Sequence, residues 1–289
     1  MRQKPLAPET ALRHGMGEAP LKSFAPSPKC APSLRQIGNQ IALRLLVINP
    51  NTMPEMTALV ARVIEPYLPP DATMVPVTGR FGAHYIASRS ASVVAAHAAL
   101  EAFAEHGQGC DGVYLACFGD PGLLALKEMA RIPVIGMAEA SSRLAAQKAE
   151  RFAIVTGGER WGPMLREFVD SIGLGGRLAA VETVAPTGAD IARDPDGSIA
   201  MLAEACRRVA KRDGAGAVIL GGAGLAGLAA RVQPHVDIPV ICSAEAGIRM
   251  LLDALDEPLR KPRSGDLALP APVASTGLSD GLTRLLARP

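Results

Sequence analysis

Ala116-Cys117-Phe118-Gly119-Asp120-Pro121-Gly122-Leu123 and Gly221-Gly222-Ala223-Gly224-Leu225-Ala226-Gly227-Leu228 are two versions of one pattern. Gly119 and Gly224, Gly122 and Gly227, and Leu123 and Leu228 all stand 105 positions apart. The first copy begins at the end of a strand-like run (112–116), and each copy leads into a segment of helical character (122–130 and 225–232). Farther on, Ile132-Pro133-Val134-Ile135 is repeated as Ile238-Pro239-Val240-Ile241, and Ala138-Glu139-Ala140 as Ala244-Glu245-Ala246, now 106 apart. A repeat of this length marks two copies of one structural unit.

Working outward, each unit alternates strand-like and helix-like segments. Leu43–Ile48 is a continuous apolar run of strand length. It ends at Asn49-Pro50-Asn51-Thr52, where Thr52 and Glu55 have capping-box spacing and Pro54 suits a first helical turn, predicting a helix to about Ile64. A strand over 74–77, a helix over 90–105, a strand over 112–116 and a helix over 122–130 follow. A strand over 132–135 and a helix over 138–148 complete the unit. The series restarts at Phe152, with helices near 161–171, 197–211, 225–232 and 244–255. Such alternation predicts an α/β fold of two pseudo-symmetric, parallel-sheet, Rossmann-like halves, 41–148 and 149–256, with 257–289 packing back on the body. Ligands in open parallel sheets bind beyond the carboxyl ends of the strands, so the expected site is the cleft between the halves.

Composition narrows the chemistry. The chain has 289 residues, 48% hydrophobic but only 3% aromatic, so it lacks the stacking platforms of a nucleic-acid binder. Its formal charge of +2 is uneven. Residues 1–40 carry Arg2, Lys4, Arg13, Lys22, Lys29 and Arg35 against Glu9 and Glu18, a balance of +4, and the remainder sums to −2. With six prolines and no apolar periodicity, that stretch is expected to be a disordered leader. No run is long and apolar enough to predict a membrane span. Five cysteines without C-x-x-C or zinc spacing argue against a disulfide framework or a metal site, and a reducing cytoplasm is expected.

Cys117 stands out among them. It follows a strand and precedes a glycine-rich turn that opens a helix, whose amides would stabilise a thiolate and lower its pKa. The competing reading is a buried small hydrophobe. Cys242, at another strand end, is a weaker candidate, while Cys30, Cys110 and Cys206 read as structural. Asn49, Asn51 and Thr52 could hold a carboxylate or imide oxygen, or serve only as turn and cap. Thr156-Gly157-Gly158 is the equivalent turn of the second unit. His84 is a base or substrate clamp on one reading and a surface-loop histidine on the other. Neither a Walker A loop nor a GxGxxG after the first strand is present, so no nucleotide cofactor is expected.

Taken together, Ile48-Asn49-Pro50-Asn51-Thr52, Ala116-Cys117-Phe118-Gly119-Asp120-Pro121-Gly122 and Leu220-Gly221-Gly222-Ala223-Gly224 resemble the Asp/Glu/hydantoin racemase superfamily, nearest its hydantoin racemase branch. The likeness extends over about 43–256. It implies cofactor-independent chemistry, with no metal, at an acidic carbon next to a carbonyl of a small carboxylate or hydantoin-like substrate. With so few aromatics and no long apolar run, no nucleic-acid or membrane partner is expected, and a homo-oligomer is left open. Cys117 falls on the family's first catalytic cysteine, and Gly222 occupies the position of the second. The family's usual mechanism needs two groups, because one side chain cannot serve both faces of a planar intermediate.

The superfamily's arylmalonate decarboxylases offer a single-cysteine precedent, with the cysteine on the second-half side. This chain would be their mirror arrangement, with Cys117 as sole proton donor. In either reaction, amides around Phe118-Gly119 and Ala223-Gly224, with the Asn51, Thr52 and Thr156 groups, are the expected donors to the enolate oxygen. A relative that binds a small molecule without turning it over is the alternative outside enzymology.

Overall fold

A computed structural model describes residues 42–257 and 259–287, and the expected leader lies outside the described residues. The first half runs β1 (Arg44–Asn49), α1 (Pro54–Ile64), β2 (Thr73–Thr78), α2 (Arg89–His106), β3 (Gly112–Leu115), α3 (Leu123–Met129), β4 (Val134–Gly136) and α4 (Met137–Lys148). The second runs β5 (Phe152–Gly157), α5 (Trp161–Ser171), β6 (Leu178–Val184), α6 (Gly188–Arg193), α7 (Pro195–Asp213), β7 (Ala217–Gly221), α8 (Ala229–Val232), β8 (Val240–Cys242) and α9 (Ser243–Leu255). A last helix, α10 (Asp280–Leu286), follows an irregular stretch.

Among the described residues the strands form two four-stranded sheets, ordered β2-β1-β3-β4 and β6-β5-β7-β8, and every pairing is parallel. The central strands are apolar along their length because helices cover both faces; Leu45, Leu46 and Ile48 of β1 are fully buried, as are Phe152 to Val155 of β5. Register makes the repeat exact in space as well as in sequence: Ile48 pairs with Leu115, and Val155 with Leu220. Asn49 and Thr156 therefore hold equivalent places one step on, and so do Cys117 and Gly222, two residues past Leu115 and Leu220.

The halves meet along α4 and α9, each of which directly follows the last strand of its sheet. Tyr114 of β3 is fully buried and donates its hydroxyl to the carbonyl of Ala244 on α9. Its ring lies against Gly247, where a Cβ would come within 2.2 Å of a ring carbon. At the far edge, Leu282 and Leu285 of α10 pack into a cluster with Ala99, Ala102 and Phe103 of α2. No helix among the described residues is long and apolar enough to cross a membrane.

Two local expectations are corrected. Thr52 does not cap α1; the helix starts after Met53 with Pro54 in its first turn, and the Thr52 hydroxyl pairs instead with Nδ1 of His84 at 2.9 Å. Nor is 225–232 one helix. A 3-10 turn at Ala223–Leu225 and the short α8 replace it, because Gly227 interrupts with φ +81°.

Candidate active site

The carboxyl ends of β1, β3, β5 and β7 converge on one cavity of about 60 Å³. Asn49, Asn51, Ala116, Cys117 and Phe118 line it from the first half, and Thr156, Gly157, Gly222, Ala223 and Gly224 from the second. Nine of the expected site residues thus come together. Thr52 and Gly119 do not line the cavity. Thr52 is held by His84, and Gly119 packs behind it, where a Cβ would meet the Trp161 ring at 2.7 Å. A larger cavity of about 610 Å³ lies between α2, the entries to β3 and β4, and α10. It sits at the amino ends of the strands, and none of the expected site residues lines it, so strand direction rather than size locates the site.

Asn49 is committed to the scaffold. Its Nδ2 donates to Asn51 Oδ1 at 2.7 Å, to Thr57 Oγ1 at 3.0 Å and to the Met53 carbonyl at 3.2 Å. Asn51 Oδ1 also accepts from the Met53 amide at 3.0 Å, so the side chain turns its oxygen into the loop and leaves its NH2 available as a donor. These bonds satisfy two buried amides that would otherwise destabilise the site.

Cys117 is buried, and its surroundings reverse the expected pKa shift. Burial, with the neighbouring Asp120 carboxylate second, pushes the thiol up to about 12. The reason lies in the turn. α3 starts only at Leu123, so Cys117 is not at its amino end. Gly119 at φ +107°, Asp120 at +47° and Gly122 at +83° fold the chain back instead. This carries the Asp120 carboxylate onto the start of α4, where it accepts from the amides of Ala138 at 2.9 Å and Glu139 at 2.7 Å. The helix-start amides thus serve Asp120 rather than sulfur. Asp120 is itself pushed up to about 8, chiefly by burial, against the pull of those two amides. A non-glycine residue in the left-handed region is costly, and Asp is among the few that adopt it readily.

Gly222, on the second-half side of the cavity, has φ +131°, and a Cβ there would make ordinary van der Waals contacts, 3.5 Å from Leu225 and 3.8 Å from Thr156 Oγ1. Its amide donates to the buried Ser243 hydroxyl at 3.3 Å. Cys242 does not line the cavity; its sulfur accepts the Gly227 amide at 3.5 Å.

Sequence reasoning missed Tyr85 and Trp161, which also line the cavity. The loop between β2 and α2 carries Tyr85 across to the second half. There its hydroxyl donates to the Gly157 carbonyl at 3.0 Å and accepts from Trp161 Nε1 at 3.1 Å. Just beyond, Arg89 forms a two-pronged ion pair with Glu167 of α5. No local spacing links residues 72 or more positions apart, so only the fold reveals them.

Residues 45–251 match the model of the family described as Asp/Glu/Hydantoin racemase, and the chain belongs to that family. It is 33% identical over 215 residues to a hydantoin racemase of Pseudomonas sp. (strain NS671), covering 74% of this chain and 86% of that one. Among solved structures, an allantoin racemase from Klebsiella pneumoniae superposes with a TM-score of 0.76 at 34% identity, over 83% of this chain and 98% of that one. Arylmalonate decarboxylase shares the fold, with a TM-score of 0.53 at 18% identity over 73% and 92% of the respective chains.

Proposed function

We propose that the chain is a cofactor-independent racemase acting at an acidic carbon alpha to a carbonyl, in a cyclic imide of the hydantoin or allantoin kind or a small carboxylate. Cys117 is its acid/base cysteine. The observation that carries this reading is the placement of Cys117 and Gly222 at equivalent strand ends of the two halves, facing one cavity. Cys117 Sγ exchanges the α-proton on its face of the substrate. The electron pair left behind moves onto the carbonyl oxygen, whose charge the Asn51 NH2 and the amides of Phe118 and Ala223–Gly224 receive; preorganised donors of this kind commonly supply the largest share of rate enhancement. Hydantoins and allantoin incubated in D2O with the enzyme should gain deuterium at the α-carbon and lose optical activity. Absence of exchange in every candidate would remove the reading.

A second reading is supported by the thiol's pKa of about 12. A thiol that stays protonated at neutral pH is a ready acid, and a decarboxylase needs only an acid, because loss of CO2 creates the enediolate without a base. Release of CO2 from substituted malonates, with no α-exchange of hydantoins, would select it.

A further inference from the structure

The proposed racemisation leaves a stereochemical gap. Cys117 serves one face of a planar intermediate, and Gly222 has no side chain to serve the other. Any group that fills the gap must line the same cavity, lie on the wall of the second half, and carry a proton that ionises within reach of a carbanion. Among the described residues of that wall, glycines, alanines and Leu225 carry no proton of this kind. Thr156 Oγ1 lies near the vacant Cβ position, but an aliphatic hydroxyl does not ionise in the range of protein side chains. Trp161 Nε1 is a donor only and is spent on Tyr85.

Tyr85 meets all three conditions. It belongs to the first half, yet its hydroxyl is fixed on the second-half wall by Gly157, the residue after Thr156. A Cβ at Gly158 would approach that oxygen to 2.5 Å, so the glycine is what lets the phenol sit against the turn. Two groups hold the oxygen from opposite roles: Trp161 Nε1 donates to it and the Gly157 carbonyl accepts from it. Burial holds the phenol above its ordinary value, so it is protonated at rest, and when the proton leaves, the Trp161 donor remains to offset part of that penalty on the phenolate. We propose that Tyr85 is the acid/base of the second face, standing in for the thiol that position 222 lacks. This rests on the racemase reading above.

The proton balance closes on these two residues. With both protonated at rest, one of them first releases a proton to solvent. The Cys117 thiolate then takes the α-proton, breaking C–H and forming S–H, while the electron pair moves onto the carbonyl oxygen. As that pair returns to carbon, the Tyr85 O–H delivers its proton to the opposite face and becomes phenolate. The opposite enantiomer runs the same steps in reverse and restores the starting form.

The test follows stereochemistry and isotope together, on each enantiomer of a hydantoin or allantoin in D2O. The wild type should invert and exchange both. Tyr85→Phe should lose inversion at least 100-fold while still exchanging, with retention, the one enantiomer whose α-proton faces Cys117. Cys117→Ala should spare exchange only in the other enantiomer. If Tyr85→Phe inverts at the wild-type rate, the assignment of Tyr85 is overturned and the racemase reading stands. A Tyr85→Phe variant that loses exchange in both enantiomers alike also overturns it. A wild type that exchanges neither enantiomer removes the racemase reading itself. Should Tyr85→Phe fold poorly, 3-fluorotyrosine at position 85 keeps the hydroxyl and its bonds. A more acidic phenol must then change the ratio of inversion to exchange, and an unchanged ratio overturns the proposal.

Discussion

The hydroxyl of Tyr114, in the strand that ends one step before the site, donates to the carbonyl of Ala244 in the opposite half at 3.2 Å. This bond and the ring's fit against Gly247 lock β3 to α9, so the strand that positions Cys117 is braced by the other half. Gly247→Val drives two methyl groups into a fully buried ring. It should lower the free energy of unfolding by about 1–3 kcal/mol, read as a lower urea midpoint. Tyr114→Phe leaves the Ala244 carbonyl without this donor and should cost about 1 kcal/mol in the same measurement.

Alkylation of Cys117 reports its ionisation. Because burial and Asp120 hold the thiol up at about 12, iodoacetamide should react slowly at neutral pH, and the rate should climb steadily into the alkaline range without a plateau below pH 10. Mass spectrometry of the Cys117 peptide measures this, with Cys117→Ala as the blank. A plateau near pH 7 would show instead that helix amides govern the sulfur.

Asp120→Asn tests the turn that sets that thiol apart. The Asp120 carboxyl has a raised pKa, about 8 when folded against about 3.9 unfolded. Its contribution to stability is therefore fully present below about pH 4 and is lost as pH rises through about 8. The variant has no such titration, so its Tm relative to wild type should rise between pH 5 and pH 9. Removing the negative charge should also bring the Cys117 alkylation profile to lower pH. A Tm difference that stays flat with pH would overturn the ionisation assigned to Asp120.

Arg89 and Glu167 are more than half exposed, and their ion pair crosses from one half to the other. Exposed pairs contribute little because water screens them. Arg89→Ala should leave the urea midpoint unchanged within error. A large drop would mean that the crossing loop, and with it Tyr85, depends on this pair.

The sheets, their order of construction and the nine cavity residues follow from features that are local in sequence: apolar runs of strand length, glycine turns and a repeat at a fixed offset. Those features are written into neighbouring residues and need no tertiary knowledge. Asp120 was visible in the motif but not its partners, since its bonds to Ala138 and Glu139 join residues brought together by two successive turns. The expected low thiol pKa failed for the same reason, as the helix start near Cys117 in sequence is not near it in space. Thr52 had correct capping spacing, yet a histidine 32 positions away takes its hydroxyl. Tyr85 and Trp161 lie on a loop and a helix of different halves, and nothing in either segment names the other.

The backbone at position 222 carries a consequence for any redesign of this site. With φ +131°, residue 222 occupies a conformation that is almost the preserve of glycine, and a side chain there costs about 1–3 kcal/mol in strain even though its Cβ would meet only ordinary van der Waals contacts. Introducing a cysteine at 222 is therefore more than a change of side chain. The shape of the turn itself works against a thiol at 222, so a cysteine placed there has to be offset by relaxation of the backbone around it.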